Sequence, residues 1–352
     1  MRRKHRSGFT LIELLVVIAI IGLLIGILLP ALGRARRNAQ QVKDSTQVRS
    51  IAQAMIAWTN DNKGVMPVPS ITDRDNRVTD VATKNRTGSI LSLMIFNRSL
   101  DPEVCVSPVE QGNVRPYVDY QYSNPVSIDT DDRPLATYDP LFHGCAKDDV
   151  DAEGLNLDSL PASGPQGRIG HNSYAHIPIE GARRSKWGAS LSSSYAFIGN
   201  RGPTFQSGDS GSKDFDAETP PEGQSWRVNP GQDNYGITGV QSVTLLMHGQ
   251  DTKWEGNLGF GDGHVEYTQE PDPDTIYFED RTQNNSNPIN QRDNVFVDEA
   301  NEGSGSTATN AYRLRKNVYL RIWRKGIPIR DEPFDTIHLD PIAGDFSWVD
   351  GR

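Results

Sequence analysis

The chain has 352 residues, with 36 Lys+Arg against 45 Asp+Glu and a formal net charge of −9. That length affords one large or two modest domains, and the acidic balance excludes a chain that binds nucleic acid by neutralising phosphates. Gly and Pro together make up about 15% of the residues, which is turn-rich without being collagen-like or low in complexity. The mean hydropathy of −0.55 hides one segment of opposite character near the N-terminus.

Met1–Gly8 carries Arg2, Arg3, Lys4 and Arg6 and no acid, the pattern of a cytoplasmic flank. Leu14–Leu29 is then wholly apolar or Gly, and the stretch 9–32 is interrupted only by Thr10, Glu13 and Pro30. As a helix these residues extend roughly 36 Å, enough to cross a hydrocarbon core of about 30 Å. A secretory signal cleaved near Ala31-Leu32-Gly33 and a plain signal anchor both satisfy this pattern. Neither gives a meaning to a carboxylate five residues into the apolar run.

Gly8-Phe9-Thr10-Leu11-Ile12-Glu13, followed by that run, closely resembles the type III signal of type IV pilins and type II secretion pseudopilins. The resemblance implies cleavage after Gly8 by a prepilin peptidase and N-methylation of Phe9. It also implies that Glu13 pairs with the terminal amine of a neighbouring pilin-like subunit, the bland alternative being that Glu13 snorkels to the headgroups. Pairing is what makes a carboxylate tolerable in hydrocarbon. Pro30 predicts a kink, and Gly22, Gly26 and Gly33 permit close helix approach.

Beyond Pro30 the pattern turns amphipathic, with Ala35, Ala39, Val42, Val48, Ile51, Met55 and Trp58 at helical spacing. Arg34, Arg36, Arg37 and Lys43 fall at the outer headgroup level, and the run from Asn60 to Gly64 supplies a stop. The same stretch, continued through Val65-Met66-Pro67, resembles the end of the pseudopilin helix. The predicted organisation is a leader over 1–8 and a helix over 9–62, with its membrane part at about 9–32 and its amphipathic part at about 33–60. An extracytoplasmic head over 63–352 follows.

In the head, short β-like runs are expected at Val104–Val106, Tyr117–Tyr122, Ser194–Ile198, Val240–Met247, Phe260–Tyr267, Thr275–Phe278, Val318–Trp323 and Thr336–Leu339. Residues 200–234 and 281–309 read as long surface loops or insertions. The fold class is therefore α+β, a long N-terminal spine helix packed on an antiparallel sheet with long loops. Cys105 and Cys145 are the only cysteines, and outside the cytoplasm they are a disulfide candidate, two free structural thiols being the other reading.

His248 and the run Asn257 to Tyr267, containing Asp262-Gly263-His264, resemble the H-X9-DG region of planctomycete prepilin-like proteins. Ser193–Asn200 resembles that family's Ser-Tyr…Asn strand. Here thirteen residues, not nine, separate His248 from Asp262, which implies a lengthened hairpin. Asp262-Gly263 suits a tight turn. His248, Asp262 and His264 carry the right groups for a metal or catalytic cluster, but a structural hairpin is the favoured reading.

The acidic runs Asp129, Asp131, Asp132 and Asp148, Asp149, Asp151, Glu153 offer loop oxygens for calcium without EF-hand spacing, so no cofactor is expected and calcium stays open. No GxSxG, HExxH, P-loop or Rossmann pattern is present, and no enzymatic activity is predicted. The expected partners are the peptidase, pilin-like subunits and the inner-membrane machinery of a secretion or pilus system. The competing expectation is a tethered envelope module that binds glycan, calcium or protein and never polymerises.

Overall fold

The computed structural model describes residues 11–72, 85–112, 114–120, 122, 138–139, 142–144, 169–179, 181–203, 205–207, 226–228, 242, 244–248, 253–280, 289–297 and 317–323. The chain divides into two units, residues 1–43 and 44–352.

Helix α1 is Leu11–Asp61, unbroken through Pro30. In the first unit every large apolar side chain from Leu11 to Leu32 is between 45% and 82% exposed, so nothing within that unit buries them. In the second unit α1 presents Asp44, Val48, Ile51, Ala52, Met55 and Thr59 to the interior, a stripe at spacings of three and four. The helix stops at a Schellman-type turn. Lys63 and Gly64 take φ of 55° and 78°, and the Gly64 N–H donates to the Thr59 carbonyl at 2.9 Å.

After the single turn α2 (Pro69–Thr72), helix α3 (Thr87–Phe96) is buried along nearly its whole length, consistent with apolar residues on all its faces. The main sheet is antiparallel in the order β1 (Tyr174–His176), β2 (Ala196–Asn200), β5 (Gly256–Phe260), β6 (Val265–Thr268). Strands β3 (Phe205–Ser207) and β4 (Trp226–Val228) form a separate pair, as do β7 (Tyr277–Asp280) and β8 (Ile289–Arg292). A fourth helical turn, α4, is Thr244–Met247.

Helix α1 and the sheet share one core in which Val48, Ile51 and Met55 join Ile198, Leu258 and Phe260. At Gly259 a Cβ would lie 2.8 Å from Ile198 Cγ2 of the neighbouring strand and 3.2 Å from Val48 Cγ1 of α1. A side chain at this position would force the Ile198 and Val48 methyls to shift.

The α+β class with a spine helix is what the sequence predicts, but several strand positions differ. Val104–Val106 is not a strand: Pro102–Cys105 is a 3-10 turn, started by Pro102 and capped by Asp101, whose carboxylate accepts the Glu103 N–H at 2.9 Å, and only Val106 beyond it is extended. Within Tyr117–Tyr122 the described residues form no strand, and Tyr117 and Tyr120 instead pack edge-on with Phe142. Val240–Met247 ends as the helical turn α4, whose start Ser242 caps by accepting the Thr244 N–H at 3.3 Å.

Val318–Trp323 makes one bridge, Arg321 to His176, while Leu320 donates to Val295 and the Trp323 carbonyl accepts from Thr87. Its backbone is satisfied by three different elements and not by one ladder. The two stretches read as loops carry the pairs β3–β4 and, through β8, part of β7–β8. Strands of three or four residues are too short to show a period of two. Thr336–Leu339 lies outside the described residues.

Candidate functional site

The first candidate site is the N-terminal segment of α1. Glu13 lies in the first turn of the helix and is exposed, on a cylinder otherwise apolar as far as Leu32. No atom lies within 4 Å of a Cβ built on Gly22, Gly26 or Gly33. This is the one helix among the described residues long and apolar enough to cross a membrane. A continuous exposed apolar surface of this extent is incompatible with water as its only neighbour. Gly8 and Phe9 lie outside the described residues.

The second candidate is in the head and is built around a carboxylate on α1. Asp44 is fully buried on α1. Its Oδ1 accepts from Ser107 Oγ at 2.5 Å and from the Tyr174 hydroxyl at 2.9 Å. Its Oδ2 accepts from Asn257 Nδ2 at 2.6 Å and from His248 Nε2 at 2.9 Å. Burial alone pushes this carboxyl up, but the bonds and charge of His248, with those from Ser107 and Tyr174, outweigh it and hold the group below its ordinary value. Burial, together with the same carboxylate, pushes the Tyr174 phenol well above its usual range.

A second buried network adjoins the first. Ser107 N–H donates to Ser173 Oγ at 3.1 Å, Ser173 Oγ donates to Glu110 at 2.7 Å, and Glu110 pairs with Arg201. Arg201 in turn accepts the Trp254 indole N–H at its carbonyl, at 3.0 Å.

His248 therefore serves as one of four donors to Asp44. Its ring meets Tyr267 edge-on at 5.7 Å, and the Tyr267 hydroxyl donates to Glu255 at 2.5 Å. Asp262 and His264 belong to a different place, the tip of the β5–β6 hairpin. There Asp262 accepts both the backbone N–H of His264, at 3.0 Å, and its ring Nδ1, at 2.5 Å, and these two bonds hold its carboxyl below the ordinary value.

Both side chains at the tip are nearly half exposed, while the His248 side chain is 4% exposed, so they share no environment. The turn is also wider than two residues. The Gly263 N–H donates to the Phe260 carbonyl at 2.9 Å, and of Asp262 and Gly263 only the glycine has positive φ, at 82°. Gly261-Asp262-Gly263 is thus a three-residue loop with glycine in the left-handed position. The His264 ring stacks on Phe260 at 4.3 Å.

Among the described residues no three His, Cys, Asp or Glu side chains converge on a point where a metal ion could sit. Cys105 is a buried free thiol, and burial pushes its pKa up, away from the thiolate form that reacts. Cys145 lies outside the described residues, as do the acidic runs around Asp129 and Asp148.

The sequence did contain a signal for the Asp44 node. Asp44 stands four residues before Val48 and seven before Ile51, a carboxylate in register with the apolar stripe. Such a position calls for buried donors.

Residues 3–29 match the model of the prokaryotic N-terminal methylation motif, so the N-terminal segment is prepilin-like. The matched stretch covers Arg3, Lys4 and Arg6 of the basic segment, Gly8, Phe9, Glu13 and the whole apolar run Leu14–Leu29. No curated protein and no solved structure matches the chain.

Proposed function

We propose that the chain is a structural, non-enzymatic prepilin-like subunit, cut after Gly8 by a prepilin peptidase, methylated on Phe9 and assembled into a type II secretion pseudopilus or type IV pilus-like filament. One observation carries this reading: the methylation motif over residues 3–29 coincides with a helix whose apolar side chains nothing in its own unit covers. Such a surface suits first lipid and then the helices of neighbouring subunits. The chain sits in the inner membrane as a single-pass protein with its head outside the cytoplasm. The resemblance of His248 and Asp262-Gly263 to the H-X9-DG region favours a planctomycete-type head.

Glu13 supplies assembly. Removal of the leader takes four cations and exposes the amine of Phe9, which pairs with Glu13 of a neighbour. Two charges that are expensive alone become one compensated pair in a dry environment.

Intact-mass and N-terminal peptide mass spectrometry on membrane-extracted protein tests processing. The expected chain begins at Phe9 and carries one added methyl, about 14 Da. A start near Arg34 refutes the reading in favour of a cleaved signal, and an uncleaved Met1 favours a simple tether. Glu13→Leu is expected to abolish filament assembly while leaving membrane insertion intact, since insertion needs only hydrophobicity. Normal assembly of that variant would remove the pairing role.

A further inference from the structure

We propose that the outer edge of β6 is a docking strand for an extended, lysine- or arginine-bearing segment of a partner protein, which adds to the main sheet as a further strand. The inference rests on the head alone and is independent of cleavage, methylation and filament assembly.

A row of open backbone groups is the first observation. The main sheet ends in β1 on one side and β6 on the other. The β1 edge is closed by the bridge between His176 and Arg321. Along β6, the Phe260 N–H donates to the His264 carbonyl at 3.0 Å, and the register then sets Leu258 against Glu266 and Gly256 against Thr268. Hydrogen-bonded pairs alternate in an antiparallel ladder, so Val265 and Tyr267 turn their N–H and C=O away from β5. Among the described residues nothing bonds these four outward groups, and both residues are partly exposed. Val265-Glu266-Tyr267-Thr268 has the β-branched and aromatic side chains of a strand, with no proline to blunt the edge.

Charge is the second observation, and it selects the occupant. Residues 253–280 hold eight Asp or Glu against Lys253 as their one Lys or Arg. Glu266 lies in β6 itself, and just beyond the strand the side chains of Glu270 and Asp274 are 59% and 83% exposed. Arg292, which pairs with both, offsets only one charge of this surplus. A second copy of β6 laid against the first would bring acids to acids, which destabilises cross-strand pairing. A segment with cations at alternate positions meets the open backbone groups and the carboxylates together. The backbone bonds supply affinity and the charges supply selection.

The test is residue-resolved amide hydrogen exchange of the detergent-solubilised full chain, titrated with a peptide of alternating Lys and Val and with the same peptide carrying Glu in place of Lys. The Lys peptide is expected to slow exchange at Val265 and Tyr267 by about tenfold. The Glu266 and Thr268 amides, which already face β5, should not change, and the Glu peptide should slow none of the four. V265P removes one outward N–H where an edge strand tolerates proline, and should weaken the Lys peptide by about tenfold. E266Q/E270Q/D274N, which leaves the backbone untouched, should weaken it as much and remove its salt dependence. Retained slow exchange in β2 and β5 checks that each variant folds.

Absence of slowing at Val265 and Tyr267 with millimolar Lys peptide, or equal slowing along all of β6, would overturn the docking edge. Equal slowing by the Glu peptide would overturn the cationic partner. Slowing at those two amides that grows with protein concentration in the absence of peptide would overturn it in favour of a second copy.

Discussion

Asp44 shows how a single buried carboxylate can organise a head domain. Taking it out of water costs several kcal/mol, offset only because four donors from four separate segments converge on its two oxygens. Asp44→Asn removes the charge and turns one acceptor into a donor facing donors. It is expected to destabilise the head by about 3 kcal/mol, read as a lower denaturation midpoint in the solubilised chain. An unchanged midpoint would mean that the network contributes no stability.

His176 makes a complementary case. Its Nδ1 lies 2.7 Å from the Ile177 carbonyl, which can only accept, so Nδ1 carries the proton and Nε2 accepts from Thr87 Oγ1 at 2.9 Å. Burial lowers this imidazole to about 4 from 6.5. Between those two values the unfolded chain binds the extra proton and the folded chain does not, so stability is fully present above pH 6.5 and falls as the pH drops toward 4. The difference corresponds to roughly 3 kcal/mol. A pH titration of the unfolding free energy should show this slope, and H176Q should flatten it.

At the scale of elements, the β5–β6 hairpin is fastened by its glycines for two separate reasons. Gly263 is needed for its backbone, since its φ is 82° and the nearest atom to an added Cβ is a comfortable 3.5 Å away on Gln53 of α1. Gly261 is needed for space, because a Cβ there would lie 2.4 Å from Leu191 Cβ and 2.6 Å from the Ser192 carbonyl. Gly263→Ala is expected to cost about 1–2 kcal/mol from left-handed strain. Gly261→Ala should cost more, because both obstructing atoms are held by their own backbone. Equal thermal shifts for the two variants would contradict this distinction.

The hairpin also explains the long gap between His248 and Asp262. His248 is held at Asp44 on α1, while Asp262 closes a turn with its neighbour His264. The extra residues in the gap contribute Trp254, which donates to Arg201, and Glu255, which accepts from Tyr267.

For the whole molecule, one helix serves two solvents. Residues 11–32 of α1 carry apolar side chains outward, whereas residues 44–61 turn one stripe inward to a protein core. Glu13 and Asp44 are the two acids on this helix that matter most, and their environments call for opposite solutions. Asp44 finds its donors within its own head, while the proposed partner of Glu13 is supplied by another copy. Glu13→Leu should accordingly leave the unfolding midpoint of the head unchanged, a comparison made on the same protein preparation used for the assembly assay.

Length, charge and apolar runs are sufficient to specify the N-terminal half of this organisation. A helix long and apolar enough to cross a membrane is written as an unbroken apolar stretch, and the methylation motif lies in consecutive residues, so neither needs a distant contact to be recognised. The spine helix and the α+β class were legible for the same reason. The strand positions were less so, because turns such as Pro102–Cys105 and Thr244–Met247 are settled by a capping side chain and by burial, not by periodicity. The Asp44 node was decided only in three dimensions. Its donors lie 63 to 213 residues away along the chain, and nothing local to Ser107, Tyr174, His248 or Asn257 marks them as partners of one carboxylate until the sheet and the spine helix bring them together.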